Sequence, residues 1–197
     1  GAAQPARPTA LRIRGGHGSR GSGELMGGQA APPRSGGREP DREEWRERGR
    51  RIVIRQLSMM DRSRQQLSEA MERRDVPADV REEVLDHFTS IGLIDDAHFA
   101  RALVRTRLSE TGASRKAMCE ELRRKGVDRG IVDAVIESVG DEAELEAAVA
   151  VAEKRLSRGG GDPRTLDRRV YAALARRGYP PETCSRALRE AHERLLG

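Results

Sequence analysis

The chain has 197 residues, 35% of them charged and only 3% aromatic, with a mean hydropathy of −0.72. That balance excludes one thick globular core and favours thin helical layers, each burying a single stripe. The net charge of +5 belongs to one end: residues 1–38 hold six arginines against Glu24, while the other 159 residues hold 31 basic and 31 acidic side chains.

Bulk charge thus gives the folded part no affinity for nucleic acid, and any such affinity must rest on local patches. No stretch approaches the roughly 18 consecutive apolar residues of a spanning helix, so no membrane segment is expected. The start of the chain lacks the apolar run of a secretory signal, which makes the cytoplasm the expected compartment. Cys119 and Cys184 are too few for a disulfide framework and read as small buried apolar residues.

Residues 1–38 contain ten glycines and show no hydrophobic periodicity, so this tail is expected to be disordered. Its glycine clusters lack the preceding strand and the following Lys-Ser/Thr of a phosphate loop. Residues 39–51 form a mixed-charge lead-in. From about Ile52 the chain repeats itself. Leu57-Ser58, Leu108-Ser109 and Leu156-Ser157 align, and each is followed by a polar link and a helix with an i, i+4 apolar pair: Leu67/Met71, Met118/Leu122, Val170/Leu174. Four residues on stands Asp75, Gly126 or Gly178, where the helix should end in a left-handed cap. An apolar residue and a helix-start residue follow (Val76-Pro77, Val127-Asp128, Tyr179-Pro180).

A third helix closes each copy, with stripes at Val80, Val84, Leu85, Phe88, then Ile131, Val135, Ile136, Val139, then Cys184, Ala187, Leu188, Ala191. The leading helices are expected from about Ile52 to Met59 (with a start as early as Trp45), from Asp96 to Leu108, and from Glu142 to Leu156. Between the first two copies, Gly92 fits a helix C-cap. Asp95 or Asp96 then offers a carboxylate to the next helix, and Phe99 is placed to lock that helix to the preceding one. The third link, Arg158 to Pro163, is four residues longer than the others and reads as a flexible loop.

A period near 50 in three copies predicts an all-α, elongated array of three tandem three-helix repeats behind a disordered N-terminal tail. The expected units are 1–38, 39–95, 96–140 and 141–197.

Signs of catalysis are few. His17, His87, His98 and His192 form no metal-ligand spacing, no nucleophile–base pair accompanies the acidic pairs, and there is no Gly-x-Ser-x-Gly. No catalytic residue, metal or cofactor is assigned, and the chain is expected not to be an enzyme.

Cations are more informative. Arg73/Arg74, Arg124/Lys125 and Arg176/Arg177 share one repeat position, the last turn of the middle helix, where they complement the helix dipole. A second set, Arg62/Arg64, Arg115/Lys116 and Arg168/Arg169, is expected at the helix starts, where cations oppose the dipole and an outside anion explains them better. The charge balance is −3 over 52–95, +2 over 96–139 and +1 over 140–197, which favours the second and third units for an anionic partner.

Three segments carry a resemblance: Leu57-x5-Ser63-Arg64-x2-Leu67-x3-Met71, Gly92-Leu93-Ile94-Asp95-Asp96-x2-Phe99-Ala100, and Ser114-Arg115-x6-Leu122-Arg123-x-Lys125-Gly126-Val127. Together they resemble the RecX family over about residues 52–196. Asp75 departs from the pattern, which has glycine there, and the basic tail and Gly159–Gly161 lie outside it.

The resemblance implies a modular regulator that binds the RecA recombinase filament and damps its activity. On this reading the chain is a monomer docking along the recombinase–single-stranded DNA filament, with single-stranded DNA as a further partner. The twelve cations above would be its contacts. Two alternatives stand beside it: a sequence-independent nucleic-acid binder, which the shortage of aromatics disfavours, and a helical-repeat adaptor for another protein.

Overall fold

The computed structural model describes residues 38–197, and the disorder expected of the tail falls outside them. Among the described residues the secondary structure is entirely helical. Helices α1 (Arg42–Leu57), α2 (Arg64–Glu72) and α3 (Ala78–Ser90) form the first unit. Helix α4 (Asp96–Thr106) runs into a π-helical turn (Arg107–Thr111) and is followed by α5 (Arg115–Arg124) and α6 (Arg129–Glu137). Helices α7 (Asp141–Leu156), α8 (Pro163–Arg176) and α9 (Pro181–Leu196) complete the array.

The stripes read from periodicity are the cores. Leu67, Met71, Met118, Leu122, Val170 and Leu174 are all buried, and three separate apolar clusters form, one around each middle helix. Each such side chain contributes about 1.5–3 kcal/mol by leaving water. Val132, fully buried on α6, joins the second core, and the half-buried Ile131 and Ile136 pack against it. Phe99 joins the second core, so it packs within its own repeat.

Helix α1 starts ten residues before Ile52 because Asp41 and Glu44 make a capping box, with Glu44 N–H donating to Asp41 Oδ1 at 2.9 Å and Asp41 N–H to Glu44 Oε2 at 2.7 Å.

The middle helices end as their spacing predicts. Asp75, Gly126 and Gly178 take φ of 61°, 71° and 85°. The next N–H (Val76, Val127, Tyr179) then donates back to the carbonyl of Met71, Leu122 or Leu174. Gly92 ends α3 in the same way, at φ 74°.

The repeats meet through these ends. The hydroxyl of Ser63, the N-cap of α2, donates to the carbonyl of Lys125 at the end of α5 at 2.5 Å, and that of Ser114, the N-cap of α5, donates to the carbonyl of Arg177 at the end of α8 at 2.7 Å. Both serines are fully buried. The negative end of one middle helix thus faces the positive end of the one before it, a favourable dipole alignment.

This junction also accounts for Asp75. A Cβ on Gly126 would lie 2.3 Å from the Gln65 side chain, and one on Gly178 would lie 2.7 Å from Ser114 Oγ. Among the described residues no earlier repeat covers the end of α2, where Asp75 is exposed, so an Asp is tolerated there.

The long third link is a loop only in part. Asp162 caps α8 by accepting from Thr165 N–H at 2.9 Å, and Pro163 occupies its first turn. The four extra residues therefore lengthen α8, which has 14 residues against nine in α2 and ten in α5.

Candidate partner-binding surface

Both signature aspartates are used, each on a different helix. Asp95 caps α4, accepting from His98 N–H at 2.8 Å, and that bond holds its carboxyl below the usual range. Asp96 reaches back and accepts the backbone N–H of Arg64 at 2.8 Å, capping α2 across the repeat boundary. Burial pushes the Asp96 carboxyl up, against the lowering effect of that hydrogen bond. Glu144 does the same one repeat later, accepting Arg115 N–H at 2.8 Å.

These acids overturn the argument made for the helix-start cations. Arg115 was expected to have no partner inside the protein, yet its Nε lies 2.7 Å from the nearly buried Glu144 and its Nη2 2.5 Å from Asp141. Arg64 Nη2 lies 2.7 Å from both Glu82 and Asp86. The carboxylates offset the dipole, so no outside anion is required there. Arg168 and Arg169 are not at a helix start at all, because the added turn of α8 places them in its interior. Lys116 is exposed, and Arg62 keeps its Nε shut off from solvent without a hydrogen-bond partner.

The last-turn cations divide similarly. Arg74 and Arg177 each donate through Nη1 to a carbonyl four residues back (Ala70 and Ala173, both 3.1 Å), which is the helix-end role expected on physical grounds. Lys125 Nζ sits 3.8 Å from Glu121. Arg73, Arg124 and Arg176 are exposed, and no carboxylate lies within ion-pair distance of them among the described residues. End-to-end packing sets Arg62 and Arg64 beside Arg124 and Lys125 at one junction, and Arg115 and Lys116 beside Arg176 and Arg177 at the other.

Packing also gathers cations that periodicity did not single out. A cleft of about 690 Å³ opens between the second and third repeats, lined by Lys154, Arg155, Arg158, Arg169 and Arg177, with Glu110 its one acidic lining residue. A smaller cleft of about 180 Å³ on the first repeat is lined by Arg48, Arg51, Arg55 and Arg74 and by no acid. In the larger one, burial lowers the proton affinity of Arg177, and the nearby charges of Arg155 and Arg176 lower it further. Lys154 and Arg155 belong to the last turn of α7, where cations also complement the helix dipole.

Among the described residues no group of three or more His, Cys, Asp or Glu is arranged to hold a metal ion, and no helix is long and apolar enough to cross a membrane. Cys184 is buried and Cys119 half-buried.

Three helical triplets joined by shared helix caps, with unpaired cations at the joints, define a tandem helical-repeat protein. Family models agree triplet by triplet: the first, second and third three-helix domains of RecX match residues 50–88, 95–136 and 142–188. The regulatory protein RecX of Thermobifida fusca is 38% identical over 168 residues, covering 85% of each chain. That of Streptomyces coelicolor is also 38% identical, covering 85% of this chain and 89% of the relative. A crystal structure of RecX from Lactobacillus salivarius superposes with a TM-score of 0.66 at 21% identity, covering 76% of this chain and 98% of the other. The chain belongs to the RecX family.

Proposed function

We propose that the protein is a non-enzymatic regulator that binds the RecA recombinase filament on single-stranded DNA and lowers its ATPase and strand-exchange activity. It would act as a monomer in the cytoplasm, in DNA recombination, repair and the SOS response, with units at 39–95, 96–140 and 141–197. Membership of a family whose relatives are named regulatory proteins supports the reading.

One observation carries it from family to mechanism. The middle-helix ends repeat, so exposed cations without carboxylate partners recur along the array, at the free end of α2 (Arg73) and at the two junctions (Arg124 and Arg176). A periodic row of charge suits a periodic partner such as a filament of identical protomers, because several weak contacts engage together. Arg62, Lys116, Arg168 and Arg169 extend the row, whereas Arg64 and Arg115 act chiefly inside the protein.

Co-sedimentation tests the reading. The protein should pellet with recombinase filaments assembled on single-stranded DNA, in proportion to recombinase at fixed DNA. Pelleting that follows the DNA alone would contradict it.

A further inference from the structure

We infer that the side of α7 turned away from its own core is a docking groove for an amphipathic acidic helix of a protein partner. Helix α7 is apolar on two sides. Leu145, Val149, Ala152 and Leu156 fill the core of the third repeat, while Ala143, Ala147 and Ala150 form a second stripe. That stripe lines two clefts, of about 690 Å³ and about 600 Å³. Leu108, Ser109, Ala147 and Ala150 belong to the walls of both, so the two run together as one groove. From Ala143 to Lys154 the groove follows α7 for about 16 Å, or about three turns. In a chain with 35% charged residues, α7 leaves Ala143 and Ala150 exposed where an amphipathic helix carries polar side chains.

The groove is formed without a partner. Its opposite wall is α4 and the π-helical turn, which supply Val104 and Leu108. The turn seats on α7 through Gly112, where a Cβ would lie 2.3 Å from Val151 Cγ2. Buried Tyr179 donates its hydroxyl to the Gly112 carbonyl at 3.1 Å and ties the turn to the third repeat. A wall held in place spares a ligand the cost of ordering it.

Arginine meets carboxylate and phosphate alike, so the cations alone do not choose the ligand. The floor does. Val104, Leu108, Val151 and Leu166 join the alanines in it, and no aromatic residue lines either cleft, so bases find nothing to stack on. A phosphodiester backbone gains nothing by leaving water for alkyl groups, whereas aliphatic side chains do. Around this floor, Arg101 and Arg105 line one half, and Lys154, Arg155, Arg158 and Arg169 the other. None of the six has a carboxylate within ion-pair distance among the described residues. Of the two acids in the lining, Glu110 and Glu146, the second is held by Arg194 at 2.7 Å. An apolar face flanked by carboxylates complements that arrangement. An extended segment would set unpaired backbone groups against the floor, and α7 offers no edge to pair with them. A helix satisfies its own backbone, and the alanines let its axis approach to about 8–10 Å.

The test uses the full chain and a fluorescently labelled peptide of about 18 residues, with leucines at i, i+3, i+4 and i+7 and glutamates beside them. Anisotropy should show saturable binding, and a scrambled peptide of the same composition should bind at least about tenfold more weakly. Ala150→Glu puts a carboxylate in the floor and should weaken binding about tenfold or more. Ala175→Glu makes the same change at an exposed position of α8 outside the groove and should bind as the parent does. Arg105→Gln/Arg158→Gln leaves the floor intact and should make binding weaker and less sensitive to salt. Circular dichroism should show the parent's helical signal for each. No binding by the parent, equal binding of the scrambled peptide, or unchanged binding by Ala150→Glu or by the arginine variant overturns the groove. Displacement of the peptide by an oligothymidylate of matched charge would assign the groove to nucleic acid. A parent dimer in sedimentation equilibrium that Ala150→Glu dissociates would assign it to a second copy of the chain; either result overturns the proposal. No recombinase enters the assay, so its outcome is separable from that of the filament reading.

Discussion

Arg64 donates its backbone N–H to the Oδ1 of Asp96 at 2.8 Å, so the first residue of α4 caps a helix of the preceding repeat. The pair spans 32 positions in the chain. One repeat later Glu144 and Arg115 reproduce the bond and add a side-chain ion pair to it. Adjacent units therefore share caps, and a unit cut from its neighbour would expose donors that the neighbour satisfies.

The Asp96 cap predicts a pH signature. Its folded-state carboxyl is raised by burial, so its ionisation costs stability, absent below the ordinary carboxylate range and complete above the raised value. Asp96→Asn keeps an acceptor for Arg64 and removes the charge. It should melt at or slightly above the parent at pH 7, and the difference should vanish as pH falls through the Asp96 titration. Asp96→Ala loses the cap and should cost about 1 kcal/mol, or about 2–4 °C in melting temperature.

Arg115 and Lys116 are neighbours in sequence with opposite expected outcomes. Arg115→Gln leaves Glu144, only 6% exposed, without its ion pair, and should destabilise the fold by about 1–3 kcal/mol. Lys116→Gln should melt within about 0.5 kcal/mol of the parent, as surface substitutions do. Denaturant midpoints of the two variants check the contrast, and equal midpoints would show that the Glu144 pair carries no stability.

The left-handed caps predict an asymmetry along the array. Gly178→Ala combines a positive φ with a Cβ 2.7 Å from Ser114 Oγ, and should cost more than about 2 kcal/mol. Asp75→Gly at the uncovered end should change stability by less than about 1 kcal/mol. Thermal melts of the two decide whether it is the neighbouring repeat, and not the cap alone, that demands glycine.

The repeat was legible from local pattern because each core stripe and each left-handed cap is a short-range signal. Leu67/Met71 and Asp75 sit within one helix and its end, and so do their counterparts. What joins the repeats is backbone chemistry at long range. Ser63 and Ser114 are N-caps of α2 and α5, yet each also donates to a carbonyl more than 60 residues away, and no side-chain periodicity encodes a carbonyl. The same gap misplaced the argument about Arg64 and Arg115, whose carboxylate partners lie 18 to 29 positions off and outside any i, i+4 rule. Arg168 and Arg169 were assigned to a helix start because four inserted residues read as loop, when Asp162 and Pro163 had the makings of a new N-terminus. Lys154, Arg155 and Arg158 went unnoticed because only the packing of α7 against α8 makes them one cluster with Arg169.

The DNA-dependent ATPase of RecA tests the central claim most directly, measured at fixed recombinase and DNA while this protein is titrated. The account predicts suppression at ratios well below those needed to coat the DNA. Lys116→Gln/Arg124→Gln/Arg176→Gln, which removes exposed cations without carboxylate partners, should lose that suppression while keeping the parent's melting temperature. Inhibition that appears only near DNA saturation and vanishes on adding excess single-stranded DNA would contradict filament docking and leave a protein that merely sequesters DNA.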